Sequence, residues 1–365
     1  MKKNIQYIIV ALLSCCFAFS CSDWTDVEAE KIDKPGKSDA YYADLRAWKA
    51  THNNREISFG WFGGWTGVGA SMVSSLAGLP DSLDLATIWG EWKNLNEEKI
   101  RDMKYVQEVK GTVVMATVML NDLGSGFTPS DVDFNQYWGW EGDLRPDDKE
   151  VDVSPAQEEA IRKYAKAICD EADRNGYQGI DIDHEPNVGG GTKPYSIGGF
   201  PKRMKIFVEE IGKYYGPKSG TGKLFAIDGE YYSNMLPETG QYFDYFISQA
   251  YDSWGVGDLN SRLNMLFTTY PDMDKKDLAK RFIVTENFEK ATYYTNGGAD
   301  FWREDGSVTK SYEGMAEWQP LVDGVRYVKG GAGVYHIEYE YSVPGKEGFY
   351  PYTRNAIRIM SANNK

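Results

Sequence analysis

The sequence predicts an α/β protein built as a single (β/α)8 barrel, the TIM-barrel class. Apolar, strand-like runs recur along the chain, and helical patterns lie between most of them. Their near-continuous hydrophobicity is typical of parallel strands covered on both faces. Eight such units in roughly 310 residues fit one barrel better than two domains. The runs are Ile57–Trp61, Leu83–Trp89, Thr112–Leu120, Gly179–Glu185, Leu224–Asp228, Tyr245–Tyr251, Phe282–Glu286 and Gly333–Glu338.

The amino-terminal residues are predicted to be a lipoprotein signal and not part of the barrel. Lys2 and Lys3 precede an apolar stretch, Ile8–Phe19, that is too short to span a bilayer permanently. Small residues then lead into Cys21, the expected site of lipidation, although ordinary secretory cleavage nearby is an alternative. The predicted division is a signal peptide at 1–20, a flexible tether at 21–38 and the catalytic domain at 39–365.

The composition narrows the class of protein further. The net charge is −14 and no basic stripe is present, which argues against a nucleic-acid partner. Beyond the signal and Cys21 only Cys169 remains, so no disulfide framework is expected and Cys169 is expected to be a buried, inert thiol. The histidines His52, His184 and His336 are too scattered to indicate a metal site. A monomer without metal or organic cofactor, attached to the outer membrane by its lipid alone, is expected on the cell surface or the periplasmic face.

Two helices have clear sequence boundaries. One is expected near Asp39–Asn53. Ser154 offers an N-cap, followed by Pro at the first helical position and Gln157 as the capping-box partner. This second helix is expected to run to about Arg174 and to end at Gly176, where a left-handed residue is tolerated.

Long connections and aromatic residues are expected at the carboxyl ends of the strands, where barrel active sites are built. The connections are residues 121–153 and 186–201. Aromatic faces suit the apolar C–H groups of a sugar ring, but the same residues could simply be core. The tryptophans in predicted loops after strands are Trp61, Trp65, Trp89, Trp138, Trp140, Trp254 and Trp302.

The fourth run carries three acids with a spacing of two. Alternate side chains of a strand share a face, so Asp181, Asp183 and Glu185 are expected inside the barrel while Ile180 and Ile182 face the helices. Crowded carboxyls raise one another's pKa, so at least one should hold a proton near neutral pH, as glycosidic cleavage requires. A buried polar network or a metal site is the structural alternative. Glu185, outermost and longest, is the expected proton donor.

These residues resemble glycoside hydrolase family 18, the chitinases and endo-β-N-acetylglucosaminidases. Residues 179–185 match its DGxDxDxE motif, and Gln249-Ala250-Tyr251 matches the Q-x-Y of its endoglycosidases. Gln178 replaces the first Asp of the motif. Strand eight lacks the Trp common in chitinases, which favours other N-acetylglucosamine linkages over chitin.

The resemblance implies retaining, substrate-assisted hydrolysis. Glu185 would protonate the leaving oxygen, and the substrate's own 2-acetamido group would attack the anomeric carbon. Asp183 would accept the acetamide N–H, with Asp181 supporting it. Tyr251 and Gln249 would orient the acetamide. The expected substrate is an N-glycan or glycoprotein, cut in its GlcNAc-β1,4-GlcNAc core.

Other residues are candidates for sugar contacts. Asp228 and Glu230 are expected to bond sugar hydroxyls, and Glu286 to form a polar pocket wall. Glu338 and Glu340 are expected either to line the pocket or to be solvated. The stacking candidates, with core packing as the alternative, are Trp61, Trp89 and Trp254.

Three alternative functions stay open at this point. Glu185 and Glu286 end strands four and seven, where another clan of barrel glycosidases places its acid and its nucleophile. A non-catalytic glycan-binding lipoprotein on the same barrel is the second alternative, since fold does not imply function. The third is a chitinase.

Overall fold

In the computed structural model the described residues are 37–51, 55–120, 122–141, 149–188 and 196–363. The predicted signal peptide, Cys21, nearly all of the tether and His52 lie outside them. Within these ranges eight parallel strands close into a barrel, which confirms the predicted fold. In chain order the strands are β1 Ile57–Phe62, β2 Leu85–Ile88, β3 Val113–Met119, β4 Gly179–His184, β5 Leu224–Gly229, β6 Tyr245–Gln249, β7 Phe282–Asn287 and β8 Gly331–Tyr335.

Helices and short helical turns surround this barrel. The α-helices are Asp39–Lys49, Glu97–Tyr105, Phe134–Trp138, Pro155–Asn175, Pro201–Ile211, Val256–Thr269, Lys275–Lys280, Tyr293–Asn296, Ser311–Glu317 and Pro351–Asn363. A π-helical turn, Val106–Lys110, extends the second of them. Among the described residues no helix is both long and apolar enough to cross a membrane.

Not every strand is followed by an α-helix. Two 3-10 turns, Met72–Ser74 and Leu76–Gly78, connect β1 to β2, and the 3-10 helix Pro237–Tyr242 connects β5 to β6. Two small antiparallel hairpins, at 300–310 and 321–326, lie between β7 and β8. These connections determine which loops surround the mouth of the barrel.

The helix that precedes β4 has the capping predicted from its sequence. The Ser154 hydroxyl accepts the Gln157 backbone N–H, and the Gln157 side chain accepts the N–H of Ser154. Gly176 ends the helix with φ 84°, a left-handed conformation that glycine adopts without strain. Three residues later β4 begins, so these two caps help to fix where the acid-bearing strand starts.

The eighth strand begins two residues earlier and ends three residues earlier than predicted. It begins at Gly331 and ends at Tyr335, because His336 adopts φ 56° and the chain turns into the 3-10 segment Ile337–Glu340. The backbone therefore leaves the barrel at His336. Tyr335, and not Glu338, is the last strand residue at the mouth.

The core has two layers, one inside the barrel and one between the strands and the helices. Ile180 and Ile182 of β4 pack in the outer layer, as expected. The inner layer comprises Ile57, Phe59, Trp61, Leu85, Met115, Ala226, Tyr245, Ile247 and Ile283. Odd-numbered residues of β1, β4, β6 and β7 therefore face inward, which places the acids of β4 above an apolar floor.

Candidate active site

Asp181 and Asp183 project into the barrel from β4, and Glu185 follows directly after the strand. Asp181 is completely buried and Asp183 is 6 % exposed, whereas Glu185 is only partly buried. Exposure therefore increases from Asp181 to Glu185 along the row. A ligand entering from the carboxyl end of the strands meets Glu185 first.

The Asp181 carboxylate is held in place by a tryptophan of β1. The indole Nε1 of Trp61, in β1, donates a hydrogen bond of 2.9 Å to Asp181 Oδ2. Trp61 is only 2 % exposed and packs in the inner layer, so neither ring face is open to a sugar. The stacking role considered for Trp61 is therefore wrong, and its partner is a carboxylate.

Asp228, in β5, is a fourth acid of the same buried group. It lies opposite Asp183 in the strand register and is 1 % exposed. Gln249 Nε2 donates a hydrogen bond of 2.8 Å to Asp228 Oδ1. The predicted contact of Asp228 with sugar hydroxyls does not fit this burial, and Gln249 is engaged beneath the mouth.

The buried acids are poised to hold protons near neutral pH. Burial, which is the largest cause, and the charges of Glu185 and Asp181 together raise the pKa of Asp183 to about 8. Burial also raises the pKa of Asp181 to about 7, although the Trp61 hydrogen bond opposes this increase. These raised pKa values agree with the expectation that at least one carboxyl holds a proton near neutral pH, with desolvation as the larger cause and neighbouring charge as the second.

Aromatic residues from four strands surround the acids at the mouth. The Tyr251 ring stacks on Tyr335 at an interplanar angle of 30°, with ring centroids 6.2 Å apart. Tyr335 also makes edge contacts with Trp61 and Trp89 at 6.1 and 5.6 Å. Burial raises the pKa of Tyr251, and the charges of Asp228 and Asp183 raise it further.

Tyr335 is a site residue that the sequence reasoning missed. It lies inside the predicted eighth strand, for which the sequence comparison with chitinases considered only the missing tryptophan. Its position as the last inward-facing residue of β8 was the available signal. Trp89 is half-buried beside it and stays a candidate for sugar contact.

Glu230 lies on the loop after β5 and supports the loop that follows the catalytic strand. Its two carboxylate oxygens accept the Asn187 backbone N–H at 2.8 Å and the Asn187 side-chain N–H at 3.3 Å. Both oxygens are thus engaged with the residue two positions after Glu185. This arrangement favours a role in holding the loop over the predicted contact with sugar hydroxyls.

Glu286 faces away from the site. Ile283 of β7 points into the barrel, so Glu286 projects outward, where it is completely buried. It accepts the Asp252 and Asn287 backbone N–H groups at 3.1 and 2.7 Å and the Ser311 hydroxyl. The alternative in which Glu286 is the nucleophile is therefore wrong, as is its role as a pocket wall.

The carboxylates of Glu338 and Glu340, which follow β8, form hydrogen bonds within the protein. Glu338 is 7 % exposed and accepts the Gly63 N–H at 3.0 Å and bonds His336 Nδ1 at 2.5 Å. Glu340 is completely buried and accepts the backbone N–H groups of Tyr352 and Thr353, in the first turn of the carboxyl-terminal helix. Neither carboxylate is solvated, and Glu340 does not line the mouth.

Most of the loop tryptophans are core residues. Trp65, Trp138 and Trp140 are buried, whereas Trp254 and Trp302 are 58 % and 49 % exposed. The Trp302 N–H donates to the Trp254 carbonyl at 3.0 Å, so the exposed pair joins the loops after β6 and β7. Trp254 therefore stays available to a ligand.

His184 and Cys169, for which the sequence predicted neither metal binding nor catalysis, are both buried. His184 donates from Nε2 to the Ser233 carbonyl at 2.8 Å, and burial lowers its pKa to about 4. Cys169 is buried in the helix before β4. Within the described ranges no group of three or more His, Cys, Asp or Glu side chains is arranged to hold a metal ion.

Comparison with known proteins agrees with this geometry. The family model described as glycoside hydrolase family 18, BT1044-like, matches residues 22–359. Endo-beta-N-acetylglucosaminidase F2 of Elizabethkingia meningoseptica is 27 % identical over 307 residues, which cover 81 % of this chain and 76 % of that protein.

Solved structures give the same result for the fold. A selenomethionine glutamate-to-glutamine variant of BT1044 superposes with a TM-score of 0.72 at 27 % identity, covering 89 % of this chain and 93 % of its own. The endo-beta-N-acetylglucosaminidase of Cordyceps militaris superposes with a TM-score of 0.58 at 21 % identity, over 90 % of this chain and 98 % of its own. The second likeness concerns the barrel alone.

Proposed function

The chain belongs to glycoside hydrolase family 18, and from this we propose that it is an endo-β-N-acetylglucosaminidase that hydrolyses the GlcNAc-β1,4-GlcNAc core of N-linked glycans. A relative that covers most of the chain carries that activity in its name. The observation that carries the proposal is the row Asp181, Asp183, Glu185 with Tyr251 beside it. Such a row supplies both a proton donor and a partner for a 2-acetamido group.

The mechanism that we propose uses the substrate as its own nucleophile. Glu185, the most accessible acid of the row, donates its proton to the leaving sugar oxygen. The acetamide carbonyl oxygen then bonds to the anomeric carbon as the glycosidic bond breaks, which forms an oxazolinium ion. Glu185, now ionised, takes a proton from the water that opens this ring, and the configuration is retained.

Asp183 has the complementary electrostatic role. In the free enzyme its raised pKa favours the protonated form at neutral pH. Its proton passes to Glu185, which then donates it to the leaving oxygen. Positive charge that develops on the substrate favours the ionised form of Asp183, which accepts the acetamide N–H. Tyr251 orients the acetamide oxygen, whereas Gln249 acts through its hydrogen bond to Asp228. The preference for the transition state thus comes from a charge that appears only as the bond breaks.

We also propose that the enzyme is a lipoprotein anchored through Cys21 to the outer membrane, as a monomer without a cofactor. The support is the sequence of the first 21 residues: a cationic start, an apolar run and small residues before the cysteine. An anchored enzyme would meet glycoproteins outside the cytoplasm.

A substrate panel tests the proposed function. The mature protein is incubated with high-mannose, complex and hybrid N-glycoproteins and with chitin oligomers, and the products are identified by mass spectrometry. Release of glycan that leaves one GlcNAc on the protein is the expected result, and the panel identifies the glycan class. Cleavage of chitin oligomers alone would show a chitinase. Binding of the glycans without cleavage would favour a glycan-binding protein.

A further inference from the structure

The carboxyl group of Asp228 lies outside both family motifs, yet it is part of the buried acid group. Oδ1 accepts the Gln249 amide at 2.8 Å, whereas Oδ2, which is buried, has no donor among the described residues. A buried carboxylate oxygen without a donor costs free energy, so native structures rarely leave one. Something else must therefore satisfy Oδ2.

Asp181 presents the matching arrangement. Its Oδ2 accepts the Trp61 indole N–H at 2.9 Å, and its buried Oδ1 has no donor among the described residues. Asp181 and Asp228 lie within hydrogen-bonding reach of each other. Two ionised carboxylates only accept hydrogen bonds, so the pair can form one only when one of the two holds a proton.

No cation of the described residues neutralises this pair of acids. Among the described residues, no lysine, arginine or histidine forms an ion pair with Asp181, Asp183 or Asp228. Burial raises the pKa of Asp228 well above its ordinary value, and the charges of Asp181, Asp183 and Glu185 raise it further. A proton is the remaining means of lowering the charge.

We infer that Asp228 is a further positioning residue of the catalytic centre, which shares one proton with Asp181 while Gln249 holds its other oxygen. Asp181 then receives hydrogen bonds on both oxygens, from Trp61 and from Asp228, without taking a proton from Asp183. Asp183 is left free to face Glu185 and the acetamide. This last step rests on the proposed function, whereas the sharing of the proton does not.

An unfolding series tests the shared proton without any substrate. The free energy of unfolding is measured in urea between pH 6.5 and 8 for the wild type, Asp228→Asn and the control Asp244→Asn. Unfolding releases the shared proton, so the ratio of the unfolding constants, wild type over Asp228→Asn, should rise by up to about tenfold per pH unit.

The control removes Asp244, a half-buried acid that directly precedes β6 and whose pKa burial raises only to about 6. Asp244 is therefore largely ionised in the folded state across this range. The free energy of unfolding of its variant should change with pH nearly as that of the wild type does. If the free energy of unfolding of Asp228→Asn also changes with pH as that of the wild type does, the proposal of a shared proton is overturned.

Kinetics on an N-glycoprotein test the positioning role. Asp228→Ala removes the partner of both Asp181 and Gln249, and kcat should fall by at least about tenfold with little change in KM. Asp228→Asn should recover most of this loss, because its amide N–H donates to Asp181 and its carbonyl accepts from Gln249.

The kinetic outcomes separate the two claims. Equal losses in Asp228→Asn and Asp228→Ala, or full activity in Asp228→Ala, would overturn the positioning role. Absence of glycan release by the wild type would contradict the proposed function alone, and the unfolding series would still decide whether the proton is shared. If Asp228→Ala does not fold, Asp228→Asn supports the role by retaining at least a tenth of wild-type kcat and overturns it by losing more.

Discussion

At the scale of single residues, Asp183 shows how burial shifts the pKa of a carboxyl group in the direction that the proposed mechanism needs. Apolar side chains lie beneath it, Asp181 and Glu185 flank it, and Asp228 faces it from the next strand. Desolvation and these charges act in the same direction on its pKa. Raised pKa values favour a resting site in which not every carboxyl group is ionised. In the proposed mechanism, positive charge on the substrate restores the ionised form of Asp183.

Asp183→Asn should lose turnover and gain stability at higher pH. The folded pKa of Asp183, about 8, lies above its unfolded value of 3.8, so its contribution is fully present below pH 3.8 and is lost as the pH rises towards 8. Relative to the wild type, the variant should therefore become more stable from pH 5 to 8, by up to about 1.4 kcal/mol per pH unit. Urea unfolding at four pH values measures this difference. A constant difference across the range would contradict the raised pKa.

Glu286→Gln separates the two glycosidase mechanisms. Glu286 faces the helices and accepts backbone N–H groups and the Ser311 hydroxyl, so its loss should disturb loops and not chemistry. We expect the variant to keep at least about a tenth of the wild-type kcat, since a catalytic proton-transfer group supplies about 10²–10⁴-fold. Steady-state kinetics of this variant and of Glu185→Gln measure the effect. An equal loss of kcat in both variants would support the mechanism in which Glu286 is the nucleophile.

At the scale of elements, the strands were predictable because each is a short apolar run between polar segments. The alternation in β4 also predicted which acids share the interior, because apolar and acidic residues strictly alternate there. In β7 apolar residues lie on both faces of the strand: Ile283 points inward and Val284 points outward. Period two therefore gave no signal for Glu286, and its direction became known only from the closed barrel.

The partners of the acids were beyond the reach of the sequence. Trp61 lies 120 residues before Asp181, and their contact exists only because β1 and β4 face each other across the barrel. Asp228 was expected to bond sugar hydroxyls because the sequence did not reveal its burial, which depends on the neighbouring strands of the closed barrel. The early end of β8 depends on His336 in a left-handed conformation, which is uncommon for any residue except glycine.

Ser154→Ala should weaken the helix before β4 without affecting catalysis. The substitution removes the hydroxyl that accepts the Gln157 N–H, and such a cap is worth about 1 kcal/mol of unfolding free energy. Urea unfolding at pH 7 measures the loss. Glu159→Ala is the matched control, since Glu159 is exposed in the same helix. Equal effects in the two variants would contradict the capping account.

At the scale of the whole molecule, one barrel combines a catalytic mouth with loops of different lengths. The connections between β5 and β6 and between β1 and β2 contain only 3-10 turns, whereas two hairpins and two α-helices separate β7 from β8. The exposed Trp254 and Trp302 lie on the loops after β6 and β7. The glycan class that the enzyme accepts should therefore depend on this side of the mouth.

Cys21→Ala tests the proposed anchor. In cells the variant should move from the membrane fraction to the soluble fraction, because acyl chains on Cys21 are the proposed attachment. Its specific activity after purification should equal that of the wild type, since Cys21 precedes the barrel. Cys169→Ala is the control and should stay with the membrane. A Cys21→Ala protein that stays in the membrane fraction would contradict lipid anchoring at this residue.

Cleavage of one N-glycoprotein by the wild type and by Glu185→Gln, followed by intact mass spectrometry, tests the central claim most directly. The account predicts that the wild type releases the glycan and leaves a single GlcNAc on the protein. It predicts that Glu185→Gln, folded to the same melting temperature within a few degrees, releases at least about 10²-fold less in the same time. Full activity in the variant, or a wild type that leaves the glycoprotein intact, would contradict it.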